Sequence, residues 1–164
     1  MLNEILTERA AEEDLAQILE LQKSAYQSEA QIWNDYTIQP LTQTLDGIKE
    51  DYNNQVILKI VYGGSIIGSV RAYEKEGVCY IGKVIVHPDY QNRGIGKILM
   101  RAIEEHFSKC SRYSLFTGQK SARNLYFYGK LGYVVKREEK ISCTITLVYL
   151  EKENSRKAEI QCSG

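Results

Sequence analysis

The chain has 164 residues, 43% hydrophobic and 26% charged, an ordinary mixture for one globular domain long enough to bury a core. Lysine plus arginine and aspartate plus glutamate stand at 21 each, so the formal net charge is +0 and the whole domain has no basic character that would point to nucleic acid. No apolar run approaches the ~18 residues needed to span a bilayer and the N-terminus MLNEILTERA is too acidic for a signal peptide, so the expectation is a cytoplasmic protein with no membrane partner.

Residues 3–9 read as a first strand, and a helix is expected over residues 11–26, with Glu12, Glu13 and Asp14 in the first turn where negative charge suits the dipole. Residues 28–40 look irregular, and a short acidic helix over 41–52 follows. Two β-rich runs, 55–62 and 65–73, flank Gly63-Gly64, a strong hairpin signal. A second turn near Glu76-Gly77 leads into a strand over 78–86, giving three consecutive antiparallel strands. From 94 to 108, Ile95, Ile98, Leu99, Ala102, Ile103 and Phe107 recur at helical spacing. A parallel crossover through that helix leads to a strand over 113–117. Ser121 is placed to cap a helix running to Lys130, Gly132 to stop it, and runs 133–137 and 142–150 to close the fold as an antiparallel pair. The domain is expected to occupy residues 1–152, with 153–164 as a polar flexible tail and residues 151–164 frayed.

Zero net charge conceals an asymmetry. Residues 1–54 carry 3 Lys+Arg against 11 Asp+Glu, whereas residues 91–140 carry 11 against 4. The basic block suits a ligand bearing phosphates. Cys79, Cys110, Cys143 and Cys162 show no C-x-x-C spacing, so neither a metal site nor a disulfide scaffold is suggested.

The most informative segment is Gln91-Asn92-Arg93-Gly94-Ile95-Gly96, joining the 78–86 strand to the following helix. A helix N-terminus presents unpaired N–H groups and the positive end of the macrodipole, glycines at 94 and 96 keep Cβ atoms out of the way, and Arg93 adds a cation. A phosphate cradle over Gln91, Asn92, Arg93, Gly94, Ile95, Gly96 and Lys97 follows. It is not a Walker A loop, because Gln91 stands where glycine is needed and Ile98 where Ser or Thr is needed. Nor is it a Rossmann fingerprint, whose third glycine would fall at Leu99.

The run VIVHPDYQNRGIGKILM, together with a later block Ser121-Ala122-Arg123-Asn124-Leu125-Tyr126-Phe127-Tyr128-Gly129-Lys130-Leu131-Gly132-Tyr133, resembles the two spaced motifs of the Gcn5-related N-acetyltransferase (GNAT) superfamily. The resemblance implies a mixed α/β (α+β) fold, a mostly antiparallel sheet of about seven strands flanked by about four helices. It implies an acetyl-CoA-dependent N-acetyltransferase acting on an amine acceptor without a metal, as monomer or homodimer; the alternative is a non-catalytic acyl-CoA-binding or sensor domain. It further implies that main-chain groups of Val84, Ile85 and Val86 pair with the pantetheine arm, that Asn124 contacts the cofactor with help from Ser121, and that Tyr128 is the general acid. A phenol of pKa about 10 donates slightly uphill to a thiolate of about 8.5. Relatives often carry a glutamate in the 78–86 strand, but this strand has no carboxylate and Tyr80 falls near that place. Base candidates are Glu74 and Glu76 through a water, or His87; the alternative is an amine bound already neutral, with water carrying off the proton. The acceptor groove implied beside the first helices holds Glu29, Asp35, Asp46, Glu50 and Asp51, which favours a cationic amine.

Overall fold

The computed structural model describes residues 5–155. One seven-stranded sheet has the order β1-β2-β3-β4-β5-β7-β6, antiparallel except where β4 meets β5. Strand β1 (Thr7–Arg9) pairs with β2 (Val56–Tyr62); of the expected first strand, residues 3 and 4 lie outside the described residues. The Gly63-Gly64 and Glu76-Gly77 turns have all four residues at positive φ, as two-residue hairpin loops of type I′ require, and connect β2 to β3 (Ser65–Lys75) and β3 to β4 (Val78–Val86).

The expected N-terminal helix begins with a tighter turn at Glu12–Asp14 and continues as α1 (Leu15–Ala25). Asp14 accepts from Ala11 N–H at 2.7 Å and from Lys59 Nζ at 2.7 Å, joining the helix start to β2. The 28–40 segment is not irregular throughout: α2 (Gln27–Trp33) occupies part of it, held by buried Ala30 and Trp33 rather than by a long apolar stripe. The expected 41–52 helix is two pieces, α3 (Gln39–Thr42) and α4 (Leu45–Asn54). The break falls at Gln43, whose buried side chain bonds Gln22 and Asp51, and Thr44 then caps α4 by accepting from Gly47 N–H at 3.1 Å.

Helix α5 (Ile95–His106) buries Ile95, Leu99, Met100 and Ile103 against one sheet face, with Leu125, Phe127 and Leu131 of the α6 region packed on the same core. Leu15, Ile18, Leu21 and Ile48 of α1 and α4 cover the other face over Ile57, Ile66 and Ile85. Strand β5 (Arg112–Gly118) is followed by α6 (Ala122–Lys130). Ser121 does not cap α6; its hydroxyl donates instead to Glu29 at 2.7 Å. Strand β6 (Val134–Lys140) pairs with β7 (Thr146–Glu153). The chain does not fray at 151: Glu151, Lys152 and Glu153 pair with β5, and buried Asn154 donates to the carbonyls of Ser108 and Cys110 at 2.7 Å each. Beyond Ser155 the expected tail lies outside the described residues. Among the described residues, no helix is long and apolar enough to cross a membrane and no group of His, Cys, Asp or Glu is arranged for a metal.

Candidate active site

The parallel ladder between β4 and β5 has three rungs, Val78 with Arg112, Cys79 with Tyr113 and Tyr80 with Ser114. Beyond Tyr80 the strands part, although β4 stays paired with β3 as far as Val86 and β5 with β7 as far as Gly118. A cleft of about 1180 Å³ occupies the fork. Its walls include main chain of both strands, so strand-edge donors and acceptors face a space rather than a neighbouring strand. Their direction is readable at the far end of β4. His87 N–H donates to Ile67 on β3 at 2.8 Å, and strand alternation turns Val86 the other way, where its carbonyl accepts from Gln91 Nε2 at 3.2 Å.

Val84, Ile85, Val86, Gln91, Asn92, Gly94, Ile95, Gly96, Lys97, Asn124 and Tyr128 all line this cleft. Gly94, at φ +85°, caps α5, and the first bond of the helix runs from Ile98 N–H to Gly94 O at 3.1 Å. The N–H groups of Ile95, Gly96 and Lys97 are therefore the donors that a helix start leaves without intrahelical partners. Asn92, at φ +62°, turns the loop two residues before this helix start. Glycine at 96 has a second reason: an added Cβ would sit 3.0 Å from Phe127 Cζ. Arg123 of α6 fastens the loop through Gln91 Oε1 at 2.8 Å and Asn92 Oδ1 at 3.3 Å. Sequence reading missed Arg123, although its place in the second motif was a usable signal. Arg93 is not in the cleft wall; its guanidinium lies over the Tyr90 ring.

Tyr128 is 8% exposed, its ring packed against Phe127 and Tyr133. Burial, then Tyr26 and Glu29, push its phenol well above the usual tyrosine range, so it stays protonated at any physiological pH. Burial likewise raises Tyr26 to about 12. Asn124 donates to Thr117 at 3.2 Å and to Glu29 at 3.3 Å. Glu29 is thus held at the cleft by two residues more than ninety positions away, and links α2 to α6.

Glu74, Glu76 and His87 do not line the cleft. Tyr73 does, and strand alternation sends Glu74 to the opposite face; Glu76 sits in the β3–β4 turn. His87 Nδ1 accepts from Asp89 N–H at 3.1 Å, capping the turn Pro88–Tyr90. Of the five acidic residues of the expected acceptor groove, Glu29 and Asp35 line the cleft, Asp46 and Glu50 are exposed outside it, and Asp51 is bound to Arg71 at 2.9 Å. Arg71, 1% exposed, also donates to Gln22 at 2.7 Å. A lone arginine in an apolar strand was the sequence signal for it.

The profile of the Acetyltransferase (GNAT) family matches residues 15–133. The chain belongs to that family. It is an acyltransferase by that membership. It is 27% identical over 138 residues, 77% of each chain, to the L-amino acid N-acyltransferase MnaT of Escherichia coli (strain K12). Similar solved structures include PaiA N-acetyltransferase from Thermoplasma acidophilum in complex with coenzyme A (TM-score 0.76, 16% identity, 91% of this chain and 98% of that one). Another is the ribosomal-protein-S18-alanine N-acetyltransferase from Escherichia coli (TM-score 0.75, 11% identity, 91% and 93%). At these identities the two structures share the GNAT fold with this chain.

Proposed function

We propose that this acyltransferase moves the acetyl group of acetyl-CoA to a primary amine by direct attack in a ternary complex. The observation that carries the reading is the fork: strand-edge main chain of β4, the open N-terminus of α5 and buried Tyr128 line one cleft. The residues fit a coenzyme with a pyrophosphate and an amide-bearing arm. Ile95, Gly96 and Lys97 N–H groups meet the phosphates, and main chain near Val86 hydrogen-bonds the arm and polarises the thioester carbonyl without reorganising. Tyr128 gives its proton to the departing thiolate. Its raised pKa makes that transfer more uphill than for an ordinary tyrosine, so Tyr128 acts as the bond breaks rather than before.

The acceptor enters beside Glu29, Asp35, Tyr73 and Tyr80, where the two tyrosine rings stack 5.3 Å apart and two carboxylates draw a cationic amine. The test is calorimetry of coenzyme binding together with thiol release over a panel of matched cationic, neutral and anionic amines. Gly94→Asp is expected to weaken coenzyme binding by at least tenfold, through carboxylate charge at the helix start and the strain of φ +85°. Unchanged affinity in the folded variant removes the phosphate assignment, and coenzyme binding without turnover of any amine leaves a sensor in place of an enzyme acting on amines. A neutral or acidic best acceptor removes the cationic preference.

A further inference from the structure

Strands β3 and β4 do not match one for one. Ser69 pairs with Ile85 and Arg71 with Gly82, so Val70 alone stands opposite both Lys83 and Val84. Lys83 takes φ +47° at this bulge, a conformation uncommon for a residue with a side chain. Such backbone persists where its surroundings impose it, and a bulge re-aims a side chain. Here Lys83 lines the cleft, beyond the last β4–β5 rung at Tyr80 and one residue before Val84.

The charges around it do not balance. Arg71 faces Lys83 from β3, and Asp51 faces it from α4 with Oδ2 4.0 Å from Nζ. Tyr26, at the end of α1, acts on Arg71. Asp51 Oδ2 already accepts from Arg71 at 2.9 Å and Gln43 at 2.8 Å, so a buried guanidinium and the half-buried Lys83 share one half-buried carboxylate. A guanidinium does not release its proton in a protein; an ammonium does.

We propose that Lys83 is the general base of the transfer, its neutral Nζ taking a proton from the acceptor's ammonium. The proposal rests on the acetyltransfer reading above. The acceptor passes one proton to the lone pair of Nζ and becomes a neutral amine, whose own lone pair forms the C–N bond to the thioester carbon. The C–S bond breaks, the thiolate takes the Tyr128 proton, the new ammonium returns its second proton to the Tyr128 phenolate through water, and Lys83 releases its proton to solvent. Burial, then Arg71, bring Lys83 down to about 8 against the pull of Asp51. Roughly a tenth of it is then neutral at pH 7, against roughly one part in 2,500 for an ordinary lysine. Lys83 is the titratable side chain of β4 beside the fork that sequence reading passed over, because it looked for a carboxylate.

The experiment uses the full chain, Lys83→Met and Lys83→Arg, and two primary amines of equal size, one strongly basic and one fluorinated so that it is already neutral at the assay pH. For the basic amine both variants are expected to lose about 10²-fold in kcat. The neutral amine loses far less, coenzyme affinity by calorimetry stays at the wild-type value, and the wild-type rise of kcat/KM around pH 8 disappears. Equal losses for both amines, a loss confined to KM, or an active Lys83→Arg overturns the proposal. Nuclear magnetic resonance of Nζ in ¹⁵N-lysine protein, assigned by its absence in Lys83→Met, reads the group without turnover. A midpoint near 8 supports the base, and one at the ordinary ~10.4 overturns it. Wild-type transfer with unaffected Lys83 variants removes this proposal alone. Coenzyme binding with no transfer to any amine removes the acetyltransfer reading, and the base with it.

Discussion

Replacing Gly118 with alanine puts a methyl group where the Trp33 indole already lies. The new Cβ falls 2.4 Å from Trp33 Cζ2 and 2.8 Å from Cε2 and Nε1. The ring must therefore retreat by about 1 Å to reach an ordinary carbon contact. Trp33 is 8% exposed and ends α2, so its retreat carries the helix and Glu29 with it, stretching the 2.7 Å bond to Ser121. Overpacking of this kind costs about 1–3 kcal/mol, which in a chain of this length lowers Tm by roughly 2–12 °C. Thermal melting measures the first effect, and steady-state kinetics with separate titration of each substrate measures the second. The acceptor KM is expected to rise about tenfold (roughly 1.4 kcal/mol) while coenzyme affinity holds, since Gly96 at the start of α5 lies against Phe127 and not against Trp33. In a Trp33→Leu background the added methyl is expected to cost almost nothing, a double-mutant signature of direct contact. An unchanged Tm for Gly118→Ala refutes the argument, because the indole would then have had room to turn aside.

Tyr128→Phe keeps the packing of the ring on Phe127 and Tyr133 and removes the proton, so kcat is expected to fall about 10²-fold with little change in coenzyme affinity. Wild-type turnover under saturating substrates reduces Tyr128 to a packing residue. Burial tends to raise the Asp14 carboxyl, but hydrogen bonds from Lys59 and Ala11 hold it below the usual range. A group with a depressed folded pKa stabilises above its unfolded value of about 3.9 and loses that contribution as pH falls through the folded one. Lys59→Met is therefore expected to cost about 1–2 kcal/mol at pH 7 and progressively less below about pH 4. Urea titrations showing an undiminished deficit at pH 3 contradict this.

The parts legible in the sequence were those whose causes are local. Gly63-Gly64 and Glu76-Gly77 announce their turns through backbone preference alone, and the periodicity of Ile95, Leu99 and Ile103 announces α5. The two family motifs brought Gly94, Asn124 and Tyr128 to one cleft because each motif opens a helix directly after a strand or turn. What stayed hidden depends on distant partners. Helix α2 has too few apolar residues to show a stripe, and it forms because Trp33 finds Gly118. Ser121 reads as a cap until Glu29, 92 positions away, takes its hydroxyl. The aim of Lys83 follows from a miscount between two strands, which only their pairing reveals. Asn154 reads as tail until the carbonyls of Ser108 and Cys110 claim it.

The three-rung ladder between β4 and β5 makes the sheet mechanically a clothes-peg. Two jaws, β1 to β4 and β5 to β6, share ladder hydrogen bonds at one end only, where the Ser111 N–H and hydroxyl both clamp Gly77 O and Asn154 N–H clamps Ser111 O, while at the mouth only side chains such as Arg123 and Glu29 reach across. A lever so built converts a slight rotation at the rivet into a larger change of gap at the mouth. Asn154, at the closed end of the ladder and away from the mouth, thus holds the fulcrum, and its loss would be felt first as a change in how wide the jaws stand.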